Sequence, residues 1–193
     1  CNGRGIRFTN GSTQVRLNNC VANGNASHGI QFAGSATQDV CINDCTTNDN
    51  ALNGIQCNNG MTSINITGCN CWDNGGDGMN LQHTNGTVKN CYVRGNAVNG
   101  IDLAGNANQI VVVDNCTENN GNHGINVEGD NNYIGQNSML LTGSVNLNVS
   151  GSENGILGNI ALANSSVNNY VSTGPVFINE AVVRQSGSFP TTD

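Results

Sequence analysis

Few side chains in this sequence could carry out chemistry, and two pairs of aspartates come first. Asp77 and Asp102 flank neighbouring Gly-aliphatic pairs, Gly78-Met79 and Gly100-Ile101. Paired carboxylates act as acid and nucleophile, or acid and base, on a glycosidic bond when they stand about 5 to 9.5 Å apart. Asp49 and Asp73 each follow a cysteine by four residues, so they stack in one turn and could share a calcium ion with turn carbonyls. Gly24, Gly95 and Asn120 hold the same place elsewhere, and the plainer reading is a turn requiring positive φ. His28 and His123 each directly precede a glycine, where Arg4, Asn53, Asp77 and Asn99 stand in other copies. A catalytic histidine needs an orienting partner within hydrogen-bond reach, and neither has one nearby in sequence, so both read as polar flank residues. His83 falls in a loop, and the single Trp72 offers either a sugar-stacking face or local packing.

The elements that must position these groups follow from composition and repeat. The chain has 193 residues, of which 38 are Asn and 26 are Gly, and only 10% are charged. Asn and Gly are poor helix formers, which argues against a helical bundle. Six Lys+Arg against 13 Asp+Glu leave a net charge of −7, so a basic nucleic-acid face is excluded. No run of about 18 apolar residues exists to form a membrane-spanning helix. Nine cysteines cannot all pair within one chain, and they show no zinc-finger spacing. The first residues enter in mid-pattern, as a fragment or processed product would.

A Gly-aliphatic pair recurs at Gly5-Ile6, Gly29-Ile30, Gly54-Ile55, Gly78-Met79, Gly100-Ile101 and Gly124-Ile125, in steps of 22 to 25 residues. A second apolar residue follows two positions later, with a polar one between. This is a short strand of period two, buried on one face and wet on the other. The polar line is Arg7, Gln31, Gln56, Asn80, Asp102, Asn126 and Asn148. It is expected to be the exposed face, and its members from Gln31 to Asn148 are the candidate binding residues. A second strand follows in each copy, as in Val40-x-Ile42 and Val111-x-Val113. Three residues beyond its last aliphatic comes a cysteine: Cys20, Cys45, Cys69, Cys91 and Cys116. Four residues before each Gly-aliphatic pair stands an asparagine: Asn25, Asn50, Asn74, Asn96 and Asn120.

Repeats of this length with Asn and Gly at the corners predict a parallel β-helix of about seven coils over residues 1–164. Coils then stack at about 4.8 Å, and equivalent residues form ladders. The cysteines are expected to be buried free thiols in one stack, and the asparagines to bond to their copies above and below. In this geometry the backbones of Asp77 and Asp102 lie about 11 Å apart, too far for short side chains to make a catalytic pair. Residues 165–193 leave the register and are expected to form a cap or a subunit contact.

The Asn-x-x-x-Gly-Ile units, such as Asn50 to Ile55, and the Val-x-Ile-x-x-Cys units, such as Val40 to Cys45, resemble right-handed parallel β-helix proteins of the pectin-lyase-like group. The resemblance covers about residues 1–160 and implies an all-β, right-handed parallel β-helix. That group holds polysaccharide lyases, glycosidases, epimerases, tailspikes and adhesins. The Gly-His-Gly, Arg-x-Lys and Asp-Pro-His motifs of its enzymes are absent here. The expectation is therefore a non-catalytic structural or binding module of an extracellular, cell-surface, fibre or virion-associated protein. It would present its Asn/Gln face to glycans or to neighbouring subunits through its ends, with no cofactor unless calcium binds at Asp49 and Asp73. The alternative is a carbohydrate-active module whose catalytic residues lie elsewhere or form a site without a known motif.

Overall fold

The computed structural model describes residues 3–9, 11–163, 170–172 and 176–184. All regular structure among them is β-strand, wound as a right-handed parallel β-helix. Each Gly-aliphatic unit forms a three-residue strand: Ile6–Phe8, Ile30–Phe32, Ile55–Cys57, Met79–Leu81, Ile101–Leu103, Ile125–Val127 and Leu147–Val149. With Tyr170–Ser172 they make an eight-stranded parallel sheet in which each residue sits on its counterpart one coil on, as Gln31 on Gln56. The rest of each coil supplies a thirteen-stranded sheet in two strips. One strip runs through Gln38–Asn43, Thr62–Thr67, Thr84–Lys89 and Asn108–Val113, and the return strip through Thr46–Asn48, Asn70–Trp72, Tyr92–Arg94 and Cys116–Glu118. About six turns are stacked, close to the seven expected.

Period-two alternation explains the core. Ile30, Phe32, Ile55, Cys57, Met79, Leu81, Ile101 and Leu103 are fully buried and point between the sheets. Burying each large aliphatic contributes about 1.5–3 kcal/mol. Two strands of the tail, Tyr170–Ser172 and Val176–Arg184, continue both sheets in parallel. The rest of the tail expected to form a cap or subunit contact over 165–193, residues 165–169, 173–175 and 185–193, lies outside the described residues.

The asparagine column forms as expected. Asn25, Asn50, Asn74 and Asn96 each donate Nδ2 to Oδ1 of the next member, at 2.8, 2.9, 2.9 and 3.0 Å. The second proton of Nδ2 goes to the chain three residues before the column: Asn74 to Thr47 O at 3.1 Å, Asn96 to Cys71 O at 3.0 Å. Tight contact with this column is what requires the repeating glycine. A Cβ on Gly54 would lie 2.6 Å from Thr47 Oγ1 and 2.9 Å from Asn74 Nδ2.

The cysteine column needs correction at its last member. Cys45, Cys69 and Cys91 are buried, Cys20 is half-buried, and each donates its thiol to a carbonyl two residues back. Cys116 pairs with Tyr92, not Cys91. Cys91 instead donates its backbone N–H to Asn115 Oδ1 at 2.9 Å. The cause is the Val111-Val112-Val113 run: Ile110 and Val112 face the core while Val111 is exposed, so the register begins one residue earlier than the valines imply. The same shift makes Asn119, not Asn120, the turn residue equivalent to Asp73.

The thiols carry a direct expectation. Cys45, Cys57, Cys69, Cys71 and Cys91 should resist a maleimide in the native protein, whereas half-buried Cys20, Cys41 and Cys116, the first and last of which the spacing predicts to be buried, should react. Burial also pushes the Cys57 thiol up to about 12, which removes its thiolate. Mass spectrometry after brief labelling reads this out, and fast modification of Cys69 or a disulfide within the column would contradict it. Cys1 lies outside the described residues.

Candidate functional site

The polar line of the short-strand sheet is a continuous hydrogen-bonded row, and it is more recessed than the alternation implies. Gln56, Asp102 and Asn126 are only 6%, 7% and 5% exposed, and Gln31 is equally buried. Asn80 and Asn148 are half-buried. The expected exposed face is therefore the floor of a polar strip. Stacked side chains at about 4.8 Å cover one another, and flanking rows cover them further. Asn53, Asp77 and Asn99 lie on one side, and Gln82 and Glu128 on the other.

Donors along this row converge on Asp102. From the N-terminal side, Asn53 Nδ2 donates to Gln56 Oε1 at 2.6 Å, and Gln56 Nε2 to Asn80 Oδ1 at 3.1 Å. Asn80 Nδ2 then donates to Asp102 Oδ2 at 2.7 Å. From the other side, Asn148 Nδ2 donates to Asn126 Oδ1 at 2.7 Å, and Asn126 Nδ2 to Asp102 Oδ1 at 2.8 Å. Asp102 ends both arms because an ionised carboxylate only accepts.

Asp77 joins the same centre. Asn80 Nδ2 also donates to Asp77 Oδ2 at 3.1 Å, so one nitrogen holds both carboxylates. The two oxygens bound to it thus lie within about 6 Å of each other, the scale of a paired-carboxylate site. The backbone separation expected from register is bridged because Asn80 lies on the coil of Asp77, three residues after it, and directly beside Asp102 on the next coil. Asp77 Oδ1 is fixed in turn by the backbone N–H of Asn99 at 3.0 Å. Burial pushes the Asp102 carboxyl up to about 7, and the nearby Asp77 and Glu128 charges add to that against the Asn126 hydrogen bond. Burial raises Asp77 as well. Asp102 thus takes up a proton more readily than an ordinary carboxylate does, the direction a general acid needs.

The other candidates take structural places. Asp49 and Asp73 adopt φ of +54° and +53°, matching Gly24 and Gly95 at +63°, which is the turn reading. Asp49 accepts from Asn48 Nδ2 at 2.7 Å, while Asp73 lies against Gly95. Among the described residues, no three His, Cys, Asp or Glu side chains group as a metal site. His28 Nδ1 accepts the backbone N–H of Asn53 at 3.2 Å, tying one coil to the next. Burial lowers the pKa of both His28 and His123. His83 is fully buried at a core corner in line with Met61 and Ala107, and neither ring nitrogen has a hydrogen-bond partner. Trp72 packs locally: the Arg94 guanidinium lies 4.8 Å from its ring centroid and 5.8 Å from that of Tyr92. Tyr92 donates to Glu118, and a shallow pocket of about 140 Å³ opens between Asp73, Arg94 and Glu118.

Two further asparagine columns lie at corners that the repeat pattern does not mark. Asn115 donates Nδ2 to Oδ1 of Asn137 at 3.0 Å, and Asn137 to that of Asn159 at 2.9 Å. Asn154 Oδ1 accepts the backbone N–H of Asn132 at 2.8 Å at a third corner. Their signal in the sequence is the constant step of 22 residues.

Comparison with known proteins agrees with this architecture. The family model for a right handed beta helix region matches residues 1–139. No curated protein sequence matches the chain. Among solved structures, the enzymatically active domain of bacteriophage CBA120 tailspike protein 2 superposes with a TM-score of 0.81 at 14% identity, over 95% of this chain and 33% of its own. A periplasmic alginate epimerase gives a TM-score of 0.79 at 15% identity, over 95% of this chain and 48% of its own. An alginate lyase from Paenibacillus gives 0.60 at 10% identity, covering 94% and 89%. At these identities the likeness shows the fold. The chain spans about a third of the tailspike and half of the epimerase.

Proposed function

From a chain that belongs to the right-handed β-helix family, we propose a module that binds a glycan along the outer face of its short-strand sheet. The observation that carries this reading is the unbroken row from Gln56 to Asn148, whose amides and carboxylates are preoriented by their own hydrogen bonds. A preordered row of polar groups loses little entropy when it meets a chain of hydroxyls. Half-buried Asn53, Gln82 and Asn148 and exposed Glu128 are the edges a ligand reaches first. The tailspike, epimerase and lyase neighbours support a carbohydrate ligand. The tailspike and the periplasmic epimerase also support a place outside the cytoplasm, at a surface or on a virion.

Calorimetric titration with a panel of neutral and acidic oligosaccharides tests the proposal. At least one should bind, and the Gln82→Ala/Asn148→Ala double variant should bind it about tenfold more weakly with unchanged circular dichroism. Full retention of affinity in that variant would place binding elsewhere.

A second reading is favoured by one observation, the two carboxylates held on Asn80. It assigns Asp102 as the proton donor and Asp77 as the ionised partner in glycoside cleavage. Reducing-end release from the bound oligosaccharide separates the two readings. Turnover that disappears in Asp102→Asn while binding persists supports catalysis; binding without turnover leaves a lectin-like module.

A further inference from the structure

Charge and hydrogen-bond capacity along the same strip specify what kind of glycan it can take; this step rests on the glycan-binding reading above. The chain has six Lys+Arg residues, and each has a known place. Arg16 and Lys89 belong to the long strip, and Arg94 and Arg184 to the return strip. Only Arg4 and Arg7 lie at the short-strand sheet, on its first coil. Arg7 pairs with Gln31, Gln31 with Gln56, Gln56 with Asn80, and Asn80 with Asp102. Four strand spacings of about 4.8 Å put Arg7 roughly 19 Å from Asp102, twice the Debye length at physiological salt.

Around Asp102 the charges are all of one sign. Asp77 shares the Asn80 amide, and Asn126 Nδ2 reaches Glu128 Oε1 at 3.2 Å as well as Asp102. His123, the nearest imidazole of the flanking row, is held toward its neutral form by burial. Donor capacity is also spent. Both protons of Asn80 Nδ2 go to Asp77 and Asp102, and both of Asn126 Nδ2 to Asp102 and Glu128. What remains open on these groups is acceptor lone pairs, since each carboxylate has about four.

We infer that the strip accepts uncharged, hydroxyl-rich glycans and rejects polyuronates, because three carboxyl groups stand together around Asp102 with no cation beside them, and the amide protons of Asn80 and Asn126 are already spent on them. Sugar hydroxyls can donate to Asp77, Asp102 and Glu128, whereas a uronate carboxylate meets like charge and no countercharge there. The strip would then differ in ligand from the alginate-acting enzymes whose fold it shares.

The test is a titration of the whole chain with neutral gluco-, manno- and galacto-hexasaccharides and with hexamannuronate and hexagalacturonate, at 20 and 150 mM NaCl. A neutral hexamer should bind with little salt dependence, and both uronates at least tenfold more weakly. Uronate binding should strengthen several-fold at the higher salt and in Glu128→Gln, a change at an exposed side chain. A uronate that binds as tightly as the neutral hexamers, or more so, overturns the inference while leaving the glycan-binding reading standing. Binding of none of the five overturns both.

Discussion

Replacing Asn74 by Ala is expected to cost about 3 kcal/mol of unfolding free energy or more, at the upper end of what one buried polar group contributes. Asn74 donates to Thr47 O and Asn96 Oδ1 and accepts the backbone N–H and Nδ2 of Asn50, and its side chain is 2% exposed. Alanine would remove the side-chain partner of the Asn50 backbone N–H, of one Asn50 Nδ2 proton and of Thr47 O, while Asn96 Oδ1 keeps the backbone N–H of residue 74. Each such group costs roughly 1–3 kcal/mol, less whatever a trapped water recovers. Exposed Asn106 is the control, and Asn106→Ala should stay within about 0.5 kcal/mol. Urea unfolding of both variants beside the parent measures the difference. Equal losses would mean that the column does not bear on stability.

This column is legible in the sequence because every member sits at one fixed offset from a Gly-aliphatic pair. Asn25 to Asn120 share that offset with no ambiguity of register. The cysteine column is legible only as far as Cys91. Three consecutive valines hide which pair faces inward, and period-two reasoning applied to Val111 and Val113 lands one residue late at Cys116. Stacking distances separate the backbones of Asp77 and Asp102, but separated backbones do not keep side chains apart. Asn80, on the coil of Asp77 and paired with Asp102 on the next, gathers both carboxylates, and nothing in local spacing signals a shared amide. Burial of Gln56, Asp102 and Asn126 is likewise hidden, because alternation tells which face a residue occupies and not what its stacked neighbours cover.

The second large effect is on pH dependence. His83 is fully buried, and burial pushes its pKa down to about 4. The unfolded chain takes up its proton near 6.5. Stability from neutral His83 is therefore whole above that value and is lost as pH falls from about 6.5 toward 4. The loss over that window is about 3 kcal/mol. Asp102 works in the opposite direction: its raised folded pKa of about 7 means that stability is gained as pH falls below 7 toward the unfolded value. The two are separated by His83→Met, since Met61 fills the equivalent corner one coil away. The difference in unfolding free energy between parent and variant should shift by about 3 kcal/mol between pH 7 and pH 4, the variant gaining as the solution is acidified. Parallel pH curves for the two proteins would show that the ring is protonated without penalty, and that the corner is wetter than its burial implies.

The claim that the short-strand sheet carries the ligand is tested most directly by the side-chain amide resonances of its asparagines. Titrating a neutral hexasaccharide into 15N-labelled protein should move the Nδ2 signals of Asn80, Asn126 and Asn148, which form the strip. The Nδ2 signals of Asn50, Asn74 and Asn96, locked in the buried column, should stay in place. Shifts confined to the return strip around Trp72 and Arg94, or no shifts at saturating sugar, would contradict the assignment.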